Sequence, residues 1–417
     1  MRSIPRPLRW AAQRITLWAV LAYAKGALRL LHASGHGQLY ESLRRKQWFY
    51  RAGYSVFRHP HVLGASRVPG RADVEIATRL ITAWERATRA DGADTAGMWS
   101  SANQELRELL EPIEKNDPDH LANVLTGMFH SRFIQGMAHG FRHREWVASR
   151  RLVPMTIEDR LVSLAEYLGI VPAETSEQGE SAAAARNGLE DLVVKLERAL
   201  GHSLAFPEVG APSGIRVADR LLTMRSMEHI YAAARIKRGA RLAGLADEAP
   251  ISAVEIGGGY GGLCYWITLQ FVQRLRRYRI VDLAWVNVIQ GYFLCRALGA
   301  DRVSLFGEPP RQIEVLPTSA VEALPAMSPA KGETRVVINQ DSLPEMLPEV
   351  ARAYLRWTGR QSGALFYSYQ QESANRVNGI PQNIVHQLCT EVPSLRLLAR
   401  DLSWTRDGYT EELYRVA

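Results

Sequence analysis

Cysteine is scarce: three residues in 417 (Cys264, Cys295, Cys389), far apart and in no CxxC-type spacing, which excludes a disulfide framework and the common cysteine metal sites. A reducing, cytoplasmic compartment is the expectation that follows. Long apolar runs are missing too. The longest strongly apolar stretch without a charge, residues 15–24, is half of the roughly 20 residues that a membrane-spanning helix needs. No internal repeat or sustained heptad stands out. With 47% hydrophobic and 23% charged residues, a wholly disordered, collagen-like or multi-span membrane chain is excluded.

The formal charge of +8 is unevenly placed. Residues 1–60 hold eleven Lys/Arg against the single acid Glu41, and the other 357 residues hold 40 basic and 42 acidic side chains. The high pI therefore belongs to an N-terminal arm. Its basic start and short apolar stretch share the layout of a secretory signal, but the apolar pattern continues past Lys25 into Leu28, Leu30 and Leu31. A basic amphipathic helix carrying Trp10 and Trp18 suits peripheral contact of residues 1–45 with an anionic membrane on its cytoplasmic side. Packing of the same apolar stripe on the rest of the protein is the alternative. A nearly neutral body argues against a nucleic-acid partner and fits an uncharged hydroxyl acceptor.

Apolar residues between 72 and 200 recur every three to four positions, as in Leu106, Leu109, Leu110 and Ile113, which predicts helices. Asn116, Asp117, Pro118 and Asp119 interrupt the pattern and supply an N-cap. Two prolines and two glycines in 206–214 mark a boundary. Beyond it, a predicted helix over 217–242 leads into β-branched runs that alternate with helical segments: 251–256, 278–281, 303–306, 313–316, 336–338 and 364–367 read as strands. This alternation predicts an α/β fold with a mostly parallel, doubly wound, Rossmann-like sheet. Runs 395–400 and 412–416 are joined too tightly for a crossover and should form an antiparallel hairpin. The expected organisation is a basic arm (1–60), a helical region (61–210) and an α/β domain (211–417).

Chemistry concentrates at Glu255, Ile256, Gly257, Gly258, Gly259, Tyr260, Gly261 and Gly262, at a predicted strand end that opens a helix. Glycines there permit a tight turn and close approach to a ligand, and the helix start offers free N–H groups. Asp282 ends the next strand-like run, where a carboxylate accepts ribose hydroxyls. Two ligands fit. Gly257, Gly259 and Gly262 read as the GxGxxG of a dinucleotide site, which makes an NAD-type oxidoreductase one alternative. Glu255, Gly257, Gly259 and Gly261 read as the acidic glycine loop of an S-adenosylmethionine site. A carboxylate beside the loop repels a pyrophosphate but suits an ammonium and a sulfonium, which favours the second.

These stretches, with 278–283, 290–294, 337–346 and 408–414, are similar to the sugar O-methyltransferase family of the class I, S-adenosylmethionine-dependent type. The likeness covers about residues 205–417. It implies a class I methyltransferase sheet with an antiparallel C-terminal hairpin, S-adenosyl-L-methionine as cofactor, and methyl transfer to a hydroxyl of a sugar or glycan-type acceptor. The cofactor residues would be Glu255, Gly257, Gly259, Tyr260, Gly261 and Asp282. A sugar hydroxyl needs a base within hydrogen-bond reach. Asp341, at the end of the run containing Asn339 and Gln340, is the first candidate, with Glu345 and His386 behind it. Asn339, Gln340, Tyr231 and Tyr367 are candidate acceptor contacts, and Phe366 and Tyr369 belong to the same aromatic group.

Each candidate has a plainer reading. Asp341 or Ser342 would equally cap a helix, His386 would be an ordinary helix histidine, and the tyrosines would be core. Asp341 and Glu345 sharing a divalent metal, and a His139/His143 metal pair, lack a third ligand. A non-catalytic scaffold with a vestigial cofactor fold, recruited by the basic arm, is the reading from another class.

Overall fold

The computed structural model describes residues 59–417 apart from 92–102, 135, 139–148, 174–187, 247, 325–331, 373–375, 378–379 and 407. Residues 1–58 of the basic arm, and His139 and His143, lie outside the described residues. Among the described residues no helix is long and apolar enough to cross a membrane.

In chain order the elements are β1 (His61–Leu63), α1 (Arg71–Asp91), α2 (Asn103–Glu114), α3 (Pro118–Thr126), α4 (Ser149–Tyr167), α5 (Leu189–Leu200), β2 (Ser213–Val217), β3 (Arg220–Leu222), α6 (Met224–Leu242), β4 (Ile251–Ile256), α7 (Gly262–Gln270), β5 (Leu275–Asp282) and α8 (Ala284–Leu298). They continue with β6 (Val303–Ser304), β7 (Ile313–Pro317), α9 (Ala320–Ala323), β8 (Thr334–Gln340), α10 (Pro348–Gly359), β9 (Leu365–Gln371), β10 (Arg376–Val377), β11 (Ile380–Pro381), α11 (Val385–Thr390), β12 (Leu395–Leu402) and β13 (Tyr409–Val416).

Local chemistry explains several boundaries. Asp117 caps α3 by accepting from the His120 N–H, with Pro118 at the first turn, as the sequence predicts. In α5 the buried residues Leu189, Leu192, Val193, Leu196 and Leu200 form one stripe. The helix predicted from about 217 starts later. Ala218 and Asp219 both take positive φ (46° and 62°), so a two-residue turn closes the hairpin β2–β3, and α6 begins after a capping box between Thr223 and Ser226.

The main sheet has eight strands in the order β12-β13-β9-β8-β4-β5-β7-β6. Strands β9 through β6 run parallel, whereas β13 is antiparallel to both β9 and β12. Strand β8 is buried along its length except at Gln340, as expected for a central strand covered on both faces. From β4 the chain proceeds through β5 to one edge and then crosses back to β8 on the other side. The strand order reverses between β4 and β8, and open α/β sheets bind ligands outside the carboxyl ends of strands at that place.

One face of the sheet carries α6, α7 and α8 in a core that also includes Leu80 of α1, Leu125 of α3, Leu161 of α4 and Leu196 of α5. The other face packs on α10 and α11 through Val337, Leu355, Trp357, Phe366 and Tyr414. Strand β1 pairs with β2, so the segments before and after the helical region share a three-stranded sheet.

Candidate active site

The glycine loop follows β4 at the reversal point. Gly257 has φ of +73°, and a Cβ placed there would lie 2.2 Å from the Ser342 Cβ, so two segments touch at a distance only glycine allows. At Gly262 a Cβ would meet the His229 ring at 2.5 Å, which fixes how closely α7 approaches α6. Around the loop lies an open cleft, walled by the glycine turn, the ends of β5 and β8, and α6.

One half of the cleft is acidic. Asp282, at the end of β5, accepts from the Gly258 N–H and from Gln290 Nε2 through Oδ2 and from the Leu283 N–H through Oδ1, each at 2.8 Å. Burial pushes its carboxyl up to about 7 against the pull of these donors. Glu255 is 1% exposed, and its Oε2 accepts from the Tyr278 hydroxyl at 2.8 Å. Burial, opposed by that hydrogen bond and reinforced by Asp282, raises it to about 8. At neutral pH Glu255 is therefore largely protonated, and its argument against a pyrophosphate operates only once a cation is there to favour ionisation.

These residues fit S-adenosylmethionine. The loop provides a cradle without side chains, and the two acids, Glu255 buried and Asp282 half-buried, would gain their charged forms when a cation arrives. Binding is expected to release protons between about pH 6 and 8. Because the ionised acids bind the cation, affinity should rise with pH through this window and level off above it. Calorimetry in buffers of different ionisation enthalpy measures the release; affinity independent of pH in Glu255→Gln and wild type alike would count against it.

The other half of the cleft carries Gln340 at the end of β8 and Asp341, Ser342 and Glu345 after it, with Arg225 and His229 from α6 and Gly136 and Met137 from the helical region. Asp341 has φ of +68°, a conformation uncommon for a side-chain-bearing residue and one that concentrates at functional sites. Its N–H donates to the Tyr369 carbonyl at 2.9 Å, and its Oδ2 lies 2.6 Å from Arg406 Nη1 and 3.5 Å from Arg225 Nη1. Glu345 stands on the short 3₁₀ turn Leu343–Glu345; Ser342 makes no capping hydrogen bond there and donates instead to the Ile256 carbonyl at 2.7 Å.

Of the predicted residues, Glu255, Gly257, Gly259, Tyr260, Asp282, Gln340, Asp341 and Glu345 all line this cleft. Gly261 lies in the same loop with φ of +88° and precedes α7. Four predicted residues are placed elsewhere. Asn339 is fully buried and donates to the Ile256 carbonyl at 3.0 Å, tying the ends of β4 and β8 together. Tyr231 and Tyr367 both donate to Glu411 of β13, which also takes Arg235 at 2.7 Å. His386 of α11 pairs with Glu412 at 2.7 Å, beside Arg400. Phe366 stacks on Tyr414, and Tyr369 on Tyr409. Among the described residues no group of three or more His, Cys, Asp or Glu is arranged to hold a metal.

Arg225, His229 and a buried ion cluster were not anticipated. Glu228 takes Arg225 at 2.6 Å and Arg160 of α4, with Arg406 at 3.6 Å. Burial alone would raise the Glu228 carboxyl, but the three guanidinium groups hold it well below the usual range. Burial lowers His229 to about 3, so its ring is neutral; its Nδ1 lies 3.4 Å from the Tyr260 hydroxyl. The spacing of Arg225, Glu228 and His229 was the available signal, since it puts them on one helix face.

No family model matches the chain, and no curated protein matches it. Solved structures similar to it include the mitomycin 7-O-methyltransferase MmcR, 15% identical with a TM-score of 0.34, the match covering 82% of this chain and 95% of that one. An O-methyltransferase family protein from Burkholderia thailandensis is 10% identical with a TM-score of 0.33, covering 82% and 94%. An O-methyltransferase from Bacillus cereus in complex with SAH is 13% identical with a TM-score of 0.32, covering 61% and 97%. Likeness at this level does not decide the reaction. The strand order, the reversal beside β4 and the antiparallel β12–β13 hairpin make a mostly parallel, Rossmann-like α/β sheet with an antiparallel C-terminal hairpin, as the sequence predicts.

Proposed function

We propose that the protein is an S-adenosylmethionine-dependent O-methyltransferase acting on a hydroxyl of a saccharide or glycan-type acceptor. The observation that carries this reading is the meeting, at the carboxyl end of β4, of a side-chain-free glycine turn with two acids, the buried Glu255 and the half-buried Asp282, in one cleft. Bound cofactor would supply an electrophilic methyl group on a sulfonium. The chain's own part is to hold that methyl and the acceptor oxygen in line and to take a proton from the hydroxyl, and orientation alone gives much of the rate.

Asp341 and Glu345, both lining the cleft, are the groups for the proton, with Asp341 first. Gln340 is the acceptor contact: both ends of its carboxamide are buried without a hydrogen-bond partner, a state that a polyhydroxyl ligand relieves. His386, Tyr231 and Tyr367 have no part in this scheme, because their partners lie outside the cleft.

The test has two stages. Calorimetry with S-adenosylmethionine, S-adenosylhomocysteine and NAD should show binding of the first two and not of the third; the opposite result replaces the methyltransferase with an oxidoreductase. Labelled S-adenosylmethionine incubated with nucleotide sugars, glycolipids and small-molecule extracts should then label a hydroxyl-bearing saccharide. Label on an amine or on no acceptor would overturn the reading.

A further inference from the structure

Resting on the methyltransferase reading of the cleft, we propose that the acceptor carries an anionic group, a carboxylate or a phosphate, close to the hydroxyl that is methylated. The acceptor half of the cleft is backed by three guanidinium groups, Arg160, Arg225 and Arg406, which are 10%, 11% and 17% exposed. They share two carboxylates. Glu228 contacts all three, and Asp341 contacts Arg406 at 2.6 Å and Arg225 at 3.5 Å. His229, within the same group, is neutral. The cluster therefore holds one more positive charge than negative, in a place where water screens little.

Geometry points the surplus into the cleft. Arg225 lines it, and while its Nη1 and Nη2 are taken by Glu228 and by the Gly136 carbonyl (2.9 Å), its Nε is buried with no hydrogen-bond partner. Gln340, on the same cleft, has both carboxamide ends buried and unpaired. The site thus shows two donors, one of them cationic, and one acceptor, all awaiting partners. A neutral sugar satisfies Gln340 but leaves the Arg225 Nε and the excess charge as they are. An anionic oxygen next to a hydroxyl satisfies all of them. Glu345 is the remaining acid on this side; it is half-buried, as Asp341 is, and stands outside the five-residue cluster.

The experiment uses the full chain saturated with S-adenosylhomocysteine and three probes built on one ring: glucose, glucuronate and glucose 6-phosphate. At least one anionic probe should bind about 10- to 100-fold more tightly than glucose, the range of a hydrogen bond to a charged group. The identity of the tighter probe tells carboxylate from phosphate, inorganic phosphate or acetate should compete with it, and the preference should shrink as salt is added. In Arg225→Gln the preference should fall to near unity, whereas Arg225→Lys keeps part of it. Unchanged S-adenosylhomocysteine affinity in the variants reports an intact fold, and the wild-type comparison stands without them. Equal binding of the three probes, or binding of none while S-adenosylhomocysteine binds, overturns the anionic acceptor alone. Failure of S-adenosylhomocysteine itself to bind overturns the methyltransferase reading instead.

Discussion

Asp282→Ala is expected to weaken S-adenosylmethionine binding about 100-fold, the loss of one or two hydrogen bonds to a charged group at about 1.5–3 kcal/mol each. The carboxylate already receives the Gly258 and Leu283 N–H groups and Gln290 Nε2. Of these, Gln290 is the side-chain donor, so ribose hydroxyls would enter by displacing it, while the backbone donors keep the carboxylate aimed at the glycine turn. Alanine removes both the acceptor and the anchor of the Gly258 N–H. The effect has a pH signature. Burial lifts the Asp282 carboxyl to about 7, so the wild type should lose its advantage over the variant as pH falls towards 5.

Stability carries the opposite signature. A carboxyl raised in the folded state is most favourable when protonated, so its contribution is full below the ordinary range near 4 and is lost as pH rises through about 7. Ligand-free Asp282→Ala should therefore show a flatter thermal midpoint between pH 5 and 8 than wild type. Calorimetry and thermal melts at pH 5, 7 and 8 measure both effects; a difference in affinity that stays constant with pH would count against the assigned role.

Gly257→Ala is the second large effect, and it acts on the fold of the site before any ligand. The added methyl would need to sit 2.2 Å from the Ser342 Cβ, and the residue would also hold φ of +73°. Left-handed backbone costs a non-glycine residue about 1–2 kcal/mol, and overpacking about 1–3 kcal/mol more, so a total destabilisation of about 2–5 kcal/mol is expected. Ser342 has little room to move, because its hydroxyl is held by the Ile256 carbonyl and by Asn339. Adding Ser342→Gly should recover the packing part and leave the backbone part. Urea unfolding of the two variants separates them, and a Gly257→Ala protein as stable as wild type would show that the turn relaxes freely.

The legible part of this protein was the part with short sequence reach. Strand β4 appears in the sequence as a β-branched run that stops at glycines, and Asp282 is the last residue of the next such run, so the acidic half of the cleft could be read from about 30 consecutive residues. The tight final hairpin was legible for the same reason: the stretch between its strands leaves no room for a crossover. Strand pairing across the sheet brings in what the chain order hides. Arg160, Arg225 and Arg406 come from α4, α6 and the turn before β13, and nothing local marks them as neighbours.

Tyr231 shows a different limit. Helix α6 is buried on nearly all sides, so periodicity cannot say which face meets the cleft; Arg225 and His229 do, while Tyr231 turns to Glu411. The +8 total was similarly uninformative about the site. A near-neutral body averages over surface charges, whereas the excess beside Gln340 is a property of five buried or half-buried residues.

The contact between Arg160 and Glu228 bears on how the protein can be taken apart. A fragment starting at residue 211 would retain the glycine turn, both acids beside it and the complete main sheet, and would resemble a self-sufficient unit on paper. It would also leave a fully buried carboxylate short of a cation, strip β1 from β2 and remove Gly136 and Met137 from the wall of the cleft. The helical half is in this sense a structural cofactor of the α/β half, supplied in the same chain.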